Sequence, residues 1–203
     1  MSEKPQGSVK ERLSALKARQ RRAELRRQIV VMGAVVGAAG TLIVGVVVFV
    51  STERSRSSLE EVQTFTVTQR NHTNDPVKYP QTPPVGGDHA PEWQNCGVYT
   101  APVRSENVVH SQEHGAVWVA YRPDLPKAQQ DVLLDQVRNQ DFVVLSPYAD
   151  LPSPVVLSSW GKQLKLDSPD DPRLTAFLRA NINGPGTPEP GAPCTGGVGE
   201  PVA

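Results

Sequence analysis

Apolar positions along the chain fall into one long block and several short ones, and this contrast divides the chain. Ile29 to Val50 is a run of 22 residues with no charged side chain and no polar face. As a helix it would extend about 33 Å, at about 1.5 Å per residue, which matches the hydrocarbon core of a bilayer. A cleaved signal peptide has a shorter apolar region, and a core helix of a soluble protein keeps a polar side. The pattern predicts a membrane-spanning signal anchor over residues 29–50.

Beyond the block the periods shorten. A polar stretch, 51–70, ends in Val62, Phe65 and Val67, which suggest a short extended entry into a domain. Ser105 to His114 reads as a short helix, with Ser105 as N-cap and Gly115 as its left-handed stop. Ala116 to Tyr121 is apolar on both faces and predicts a central strand. Pro126 opens a helix through about Asn139, with Val132, Leu133 and Val137 inward. Phe142 to Leu145 is a second buried strand, and Val155–Trp160 with Lys162–Asp167 form a hairpin around Gly161. Leu164 and Leu166 alternate there with Gln163, Lys165 and Asp167, which predicts one wet face. Asp171 caps a last helix that Pro172 starts, with Leu174, Phe177, Leu178 and Ile182 on one side.

Two stretches lack either period. His72 to Pro102 is rich in proline and glycine yet carries Tyr79, Trp93, Cys96 and Tyr99, so it reads as a long loop pinned to a core. From Asn183 the chain is mostly glycine and proline, which predicts a disordered tail. The fold class expected is α+β: one transmembrane helix, then a small mixed α/β exported domain with a long Pro-rich loop. The boundaries expected are 1–28 basic segment, 29–50 span, 51–70 stalk, 71–182 domain and 183–203 tail.

Charge orients this arrangement. The formal net charge is 0, but residues 1–28 carry nine Lys/Arg against Glu3, Glu11 and Glu24. The positive-inside rule then keeps the N-terminus cytoplasmic and exports the C-terminal domain across the plasma membrane. The basic residues beside a span suit anionic lipid headgroups, so the bilayer and not nucleic acid is the expected partner. Gly33 and Gly37 form a G-x-x-x-G that allows a homodimer.

All four histidines, His72, His89, His110 and His114, lie within residues 72–114. His110-x-x-Glu113-His114 matches the H-x-x-E-H pattern of inverted zinc peptidases. The context opposes that reading, since Gly115 stops the helix and a strand follows. A non-hydrolytic site is the stronger alternative. On one helical turn His110 and His114 share a face and could share an ion, with His89 as third ligand and Glu113, Asp88 or Cys96 as fourth. Imidazole donors favour zinc or copper, and Met1 and Met32 lie outside the domain, which excludes methionine-type copper(I) binding. The competing reading is that the histidines tie the loop to the sheet through backbone carbonyls.

Cys96 and Cys194 are the only cysteines. An exported domain permits a disulfide between them, closing a long ring. Left unpaired, Cys96 would be a ligand or a thiol facing His114, but no oxyanion donor or orienting partner is visible. No catalytic set is complete, so the alternative to a metal-binding module is a non-enzymatic envelope protein that recruits a partner.

Tyr79-Pro80, Pro83-Pro84, His89, Cys96-Gly97-Val98-Tyr99 and His110-Ser-Gln-Glu113-His114-Gly115, with Tyr121-Arg-Pro-Asp-Leu-Pro126 and Ser146-Pro-Tyr148, resemble a bacterial family. It is the domain of unknown function 3105, common in actinobacteria, and the likeness runs from about Tyr79 to Ile182. The resemblance implies an N-terminal anchor and one exported domain, and no activity. Val85-Gly86-Gly87-Asp88-His89 departs from the family's Ser/Thr-rich turn ending in Gly-Pro-His, but keeps the histidine.

Overall fold

A computed structural model of the chain describes residues 9–56 and 59–203. The chain divides into two compact units, one ending at Arg54 and the other running Ser55–Ala203. Helix α1, Val9–Arg56, is 48 residues long. Its portion Arg19–Val50 is long and apolar enough to cross a membrane. The basic stretch from residue 9 continues the same helix, while residues 1–8 lie outside the described residues, as do Ser57 and Ser58 of the expected stalk. Gly33 and Gly37 have open space where a Cβ would stand.

The second unit is a mixed α+β fold around a six-stranded sheet of order β1-β6-β5-β3-β4-β2. Its strands are β1 Gln63–Thr64, β2 Gly97–Val98, β3 Val117–Tyr121, β4 Val143–Pro147, β5 Val155–Ser159 and β6 Lys162–Leu166. Its helices are α2 Ser105–Glu113, α3 Lys127–Val137 and α4 Arg173–Asn181. β3 pairs in parallel with β4, and α3 is the crossover that a parallel pair requires. β5 pairs antiparallel with both β3 and β6, closing the hairpin at Gly161. β3 therefore lies inside the sheet, and all five of its residues are buried.

Alternation along the strands builds two cores, one on each face. Val117, Val119, Val143, Leu145, Val155, Leu157, Leu164 and Leu166 pack with Leu133 of α3 and with Leu174, Phe177 and Leu178 of α4. Trp118, Ala120, Val144 and Val156 face the other way and meet Val108 of α2 with Tyr99 and Leu151. Burying each such aliphatic side chain contributes about 1.5–3 kcal/mol, so these faces fix the register.

Three expectations need correction. Gln163 is not on a wet face: it is 2% exposed, and its Nε2 donates to Pro83 O at 2.9 Å. The polar side of β6 is covered at that point by the 72–102 segment, while Lys165 and Asp167 stay exposed. The end of the expected stalk already belongs to the domain, because β1 pairs with β6. The tail from Asn183 is not disordered. Its Val198 N–H donates to Trp93 O at 2.9 Å, its Val202 N–H donates to Val98 O at 2.8 Å, and it receives the Val98 N–H on Ala203 O at 2.8 Å. Cys96 and Cys194 join as a disulfide with Cα atoms 5.3 Å apart. Low apolar content predicts disorder only where burial is the sole source of order. Here backbone hydrogen bonds and a crosslink supply it.

Candidate metal centre

The site grows from α2, a helix with an unusual composition for its place. Glu106 through Glu113 are all buried, although most are polar. Buried polar groups need partners, and the backbone of the 72–102 segment provides them. Glu106 Oε1 accepts the Val77 N–H at 3.0 Å, Asn107 Nδ2 donates to Glu92 O at 2.6 Å, and Ser111 Oγ donates to Gln94 O at 2.7 Å. Gln112 Nε2 donates to Pro84 O at 3.2 Å and to Ser158 Oγ at 3.1 Å. The segment is thus wound on α2. The helix stops where the sequence says it must: Gly115 has φ +109°, and a Cβ there would overlap Asn183 Oδ1.

Winding the segment this way brings His89 back over the helix. His89 pairs with the strand of chain at His72, the Thr73 N–H donating to His89 O at 2.7 Å and the His89 N–H to Asn71 O at 3.0 Å. The preceding turn is held by Tyr79 Oη, which donates to Asp88 O at 2.7 Å, and by Asp88 Oδ1, which accepts from Asn71. His110 and Glu113, three apart on α2, present the same face to it. The outcome is one cluster, His72, His89, His110 and Glu113, whose donor atoms all lie within 4.8 Å of one another.

The ring nitrogens have distinct duties. Nδ1 of His89 lies 2.8 Å from Gly87 O and Nδ1 of His110 lies 2.7 Å from Ala90 O. A carbonyl only accepts, so each Nδ1 carries a proton and Nε2 is the nitrogen left for the cluster. Burial pushes the His110 imidazole down to about 4; the carbonyl bond opposes that, while His114, His89 and His72 add to it. The ring is therefore neutral near pH 7. His89 Nε2 is buried 3.0 Å from Glu113 Oε2, yet off hydrogen-bonding alignment, and it has no hydrogen-bond partner among the described residues. Arg70 Nη1 lies 3.7 Å from the other carboxylate oxygen.

A cation held between His89 Nε2 and the Glu113 carboxylate, a proton or a metal ion, satisfies both buried atoms. Three nitrogens and one oxygen suit zinc or copper(II) chemically. Bonds of about 2.05 Å place tetrahedral donors about 3.3 Å apart, so donors as far as 4.8 Å apart would close by up to about 1.5 Å around an ion.

The expected residues fall on both sides of this boundary. His89, His110 and Glu113 come together. His114 stands apart: it is the C-cap of α2, and its Nδ1–H donates to Pro193 O at 2.6 Å, drawing the ring toward the tail. Its Nε2 lies 3.9 Å from Glu189, and its ring centroid is 4.6 Å from that of His110. Asp88 is occupied with Asn71, and Cys96 with Cys194. His72 takes the place given to His114. Its one trace in the sequence is the confinement of every histidine to 72–114, because nothing local announces that residues 72 and 89 pair.

Comparison with known proteins returns one family. No curated protein and no solved structure matches the chain. The family described as "Protein of unknown function (DUF3105)" matches residues 70–196, from just before His72 to just past Cys194, and so contains the whole cluster and the disulfide. The chain belongs to that family.

Proposed function

We propose that this is a membrane-anchored, extracytoplasmic protein whose domain binds a transition metal, zinc or copper, through His72, His89, His110 and Glu113. The observation that carries the reading is the buried His89 Nε2, unpartnered and 3.0 Å from Glu113 Oε2, with Nδ1 already committed to Gly87 O. A cation between these two buried atoms, here a metal ion, would satisfy both. Histidine ligands are commonly oriented by donating the far nitrogen to a carbonyl, as both buried rings do. Anchoring is supported by Arg19–Val50, an N-terminal cytoplasmic orientation by the nine Lys/Arg of residues 1–28, and an oxidising compartment by the disulfide. Gly33 and Gly37 suit a membrane homodimer.

The test is equilibrium dialysis of the full chain in detergent against zinc and against copper(II). Wild type retains a stoichiometric ion, and the His89→Ala/His110→Ala double variant loses it. Equal retention by both proteins ends the proposal.

A second reading has its own support. The Nδ1 bonds of His89, His110 and His114 to Gly87, Ala90 and Pro193 hold the loop and tail by themselves. On that reading the domain is a non-enzymatic envelope module that recruits a partner. Wild type then binds neither ion, and membrane crosslinking captures a specific neighbour.

A further inference from the structure

Of the donors in the cluster, one is held differently from the rest. His89 and His110 each spend Nδ1 on a backbone carbonyl, and Glu113 is buried on α2. His72 is the one exposed member. Among the described residues nothing hydrogen-bonds its ring. Its backbone is fixed by the pairing with His89, but the side chain is placed only by ring contacts. It stacks on His110 with centroids 4.9 Å apart and meets the edge of His89 at 5.0 Å.

That difference matters at a metal site. A hydrogen bond to the far nitrogen orients a histidine ligand and raises its basicity. A ring without one must give up rotamer freedom each time it binds. Structural zinc sites are closed by fixed ligands, whereas functional ones keep an exchangeable position.

We infer that His72 is the exchangeable ligand, and that its position is the one through which the ion enters, leaves and meets an outside nitrogen donor. The inference rests on the metal-binding reading above. His89, His110 and Glu113 hold the ion from the protein side, and His72 covers it from the solvent side. Rotation of the exposed ring opens one coordination position. An incoming imidazole occupies that position before the buried donors let go, so no bare ion is released.

Cobalt(II) tests this, because its visible bands report coordination number and ligand type. It is added to the full chain in detergent as wild type, His72→Ala and His72→Gly, before and after free imidazole. Wild type gives the strong bands of a four-coordinate ion, and excess thiocyanate, a nitrogen donor spectrally distinct from imidazole, shifts them as it takes the place of the His72 ring; wild-type bands that thiocyanate leaves unmoved overturn the exchange. Both variants still bind, more weakly than wild type, through His89, His110 and Glu113. Their spectra change on loss of the ring, and imidazole restores the wild-type bands. Binding abolished in both variants, spectra identical to wild type, or no response to imidazole each overturns the inference. Failure of wild type to bind cobalt, zinc or copper overturns the metal-binding reading itself.

Discussion

Asp171 lies two residues before the first residue of α4, and its carboxylate accepts from the Arg173 backbone N–H at 2.9 Å and from the Arg173 guanidinium at 2.6 to 3.1 Å. Those side-chain bonds hold its carboxyl below the usual carboxylate range, against an opposing contribution from burial. A group with a depressed folded pKa stabilises above its unfolded pKa, here about 3.9, and loses that contribution as pH falls through the folded value. Asp171→Asn keeps an oxygen for the Arg173 N–H and removes the charge that the Arg173 guanidinium bonds, so it should cost at most about 1 kcal/mol near neutral pH, the upper end for a surface ion pair of good geometry. The gap to wild type should narrow below about pH 4 and vanish once the native carboxyl is protonated. Urea unfolding of both proteins at pH 7 and at stepped acidic pH checks it, and a gap independent of pH refutes the assignment. This cap is legible in the sequence because donor and acceptor are two residues apart. The same is true of the Gly115 stop and of the face shared by His110 and Glu113 on α2.

At the scale of elements, α2 is the part whose removal would undo the site. It supplies two donors directly and places a third by holding the segment that carries His89. Asn107 isolates the holding role, since its Nδ2 reaches Glu92 O at 2.6 Å but contributes no ligand. Asn107→Ala leaves a carbonyl without its donor, a loss of about 1–3 kcal/mol. It should lower the urea midpoint and speed proteolysis within residues 72–102. An unchanged midpoint would mean that the segment is held elsewhere. The strands and helices are readable from the sequence because period 2 and period 3.6 are local signals. The covering segment and tail are not. Gln163 meets Pro83 80 positions away, and Asn95 meets Gly199 across 104. His72 is missed for the same reason that Gln163 is misassigned, namely that chain folded back by proline and glycine carries no period to follow.

At the scale of the molecule, one crosslink joins the two parts that lack periodicity. Cys96 and Cys194 are 98 residues apart in sequence, and the bond locks the covering segment to the tail beside the C-terminal end of α2. There the tail donates its Glu189 N–H to Glu113 O at 3.0 Å and its Gly191 N–H to His114 O at 3.2 Å, and Cys194 O accepts the Cys96 N–H at 2.7 Å. A ring of that length stabilises by about 4–5 kcal/mol in the chain-entropy account, and removing such bridges from small domains costs about 2–5 kcal/mol. The tail has few apolar groups to hold it otherwise, so the loss should be felt there first. Cys96→Ser/Cys194→Ser in the full chain should lower stability by that amount, read by urea unfolding followed through the fluorescence of its three tryptophans, Trp93, Trp118 and Trp160. Amide exchange at Val198 and Val202 should accelerate in the variant, while the Val119 and Leu157 amides inside the sheet stay protected at low denaturant. The same pattern should appear when wild type is treated with dithiothreitol, which separates loss of the bond from the effect of serine. If Val198 and Val202 keep their protection in both experiments, the backbone bonds alone order the tail. The crosslink would then act on the unfolded chain only, with no part in shaping the ground around Glu113.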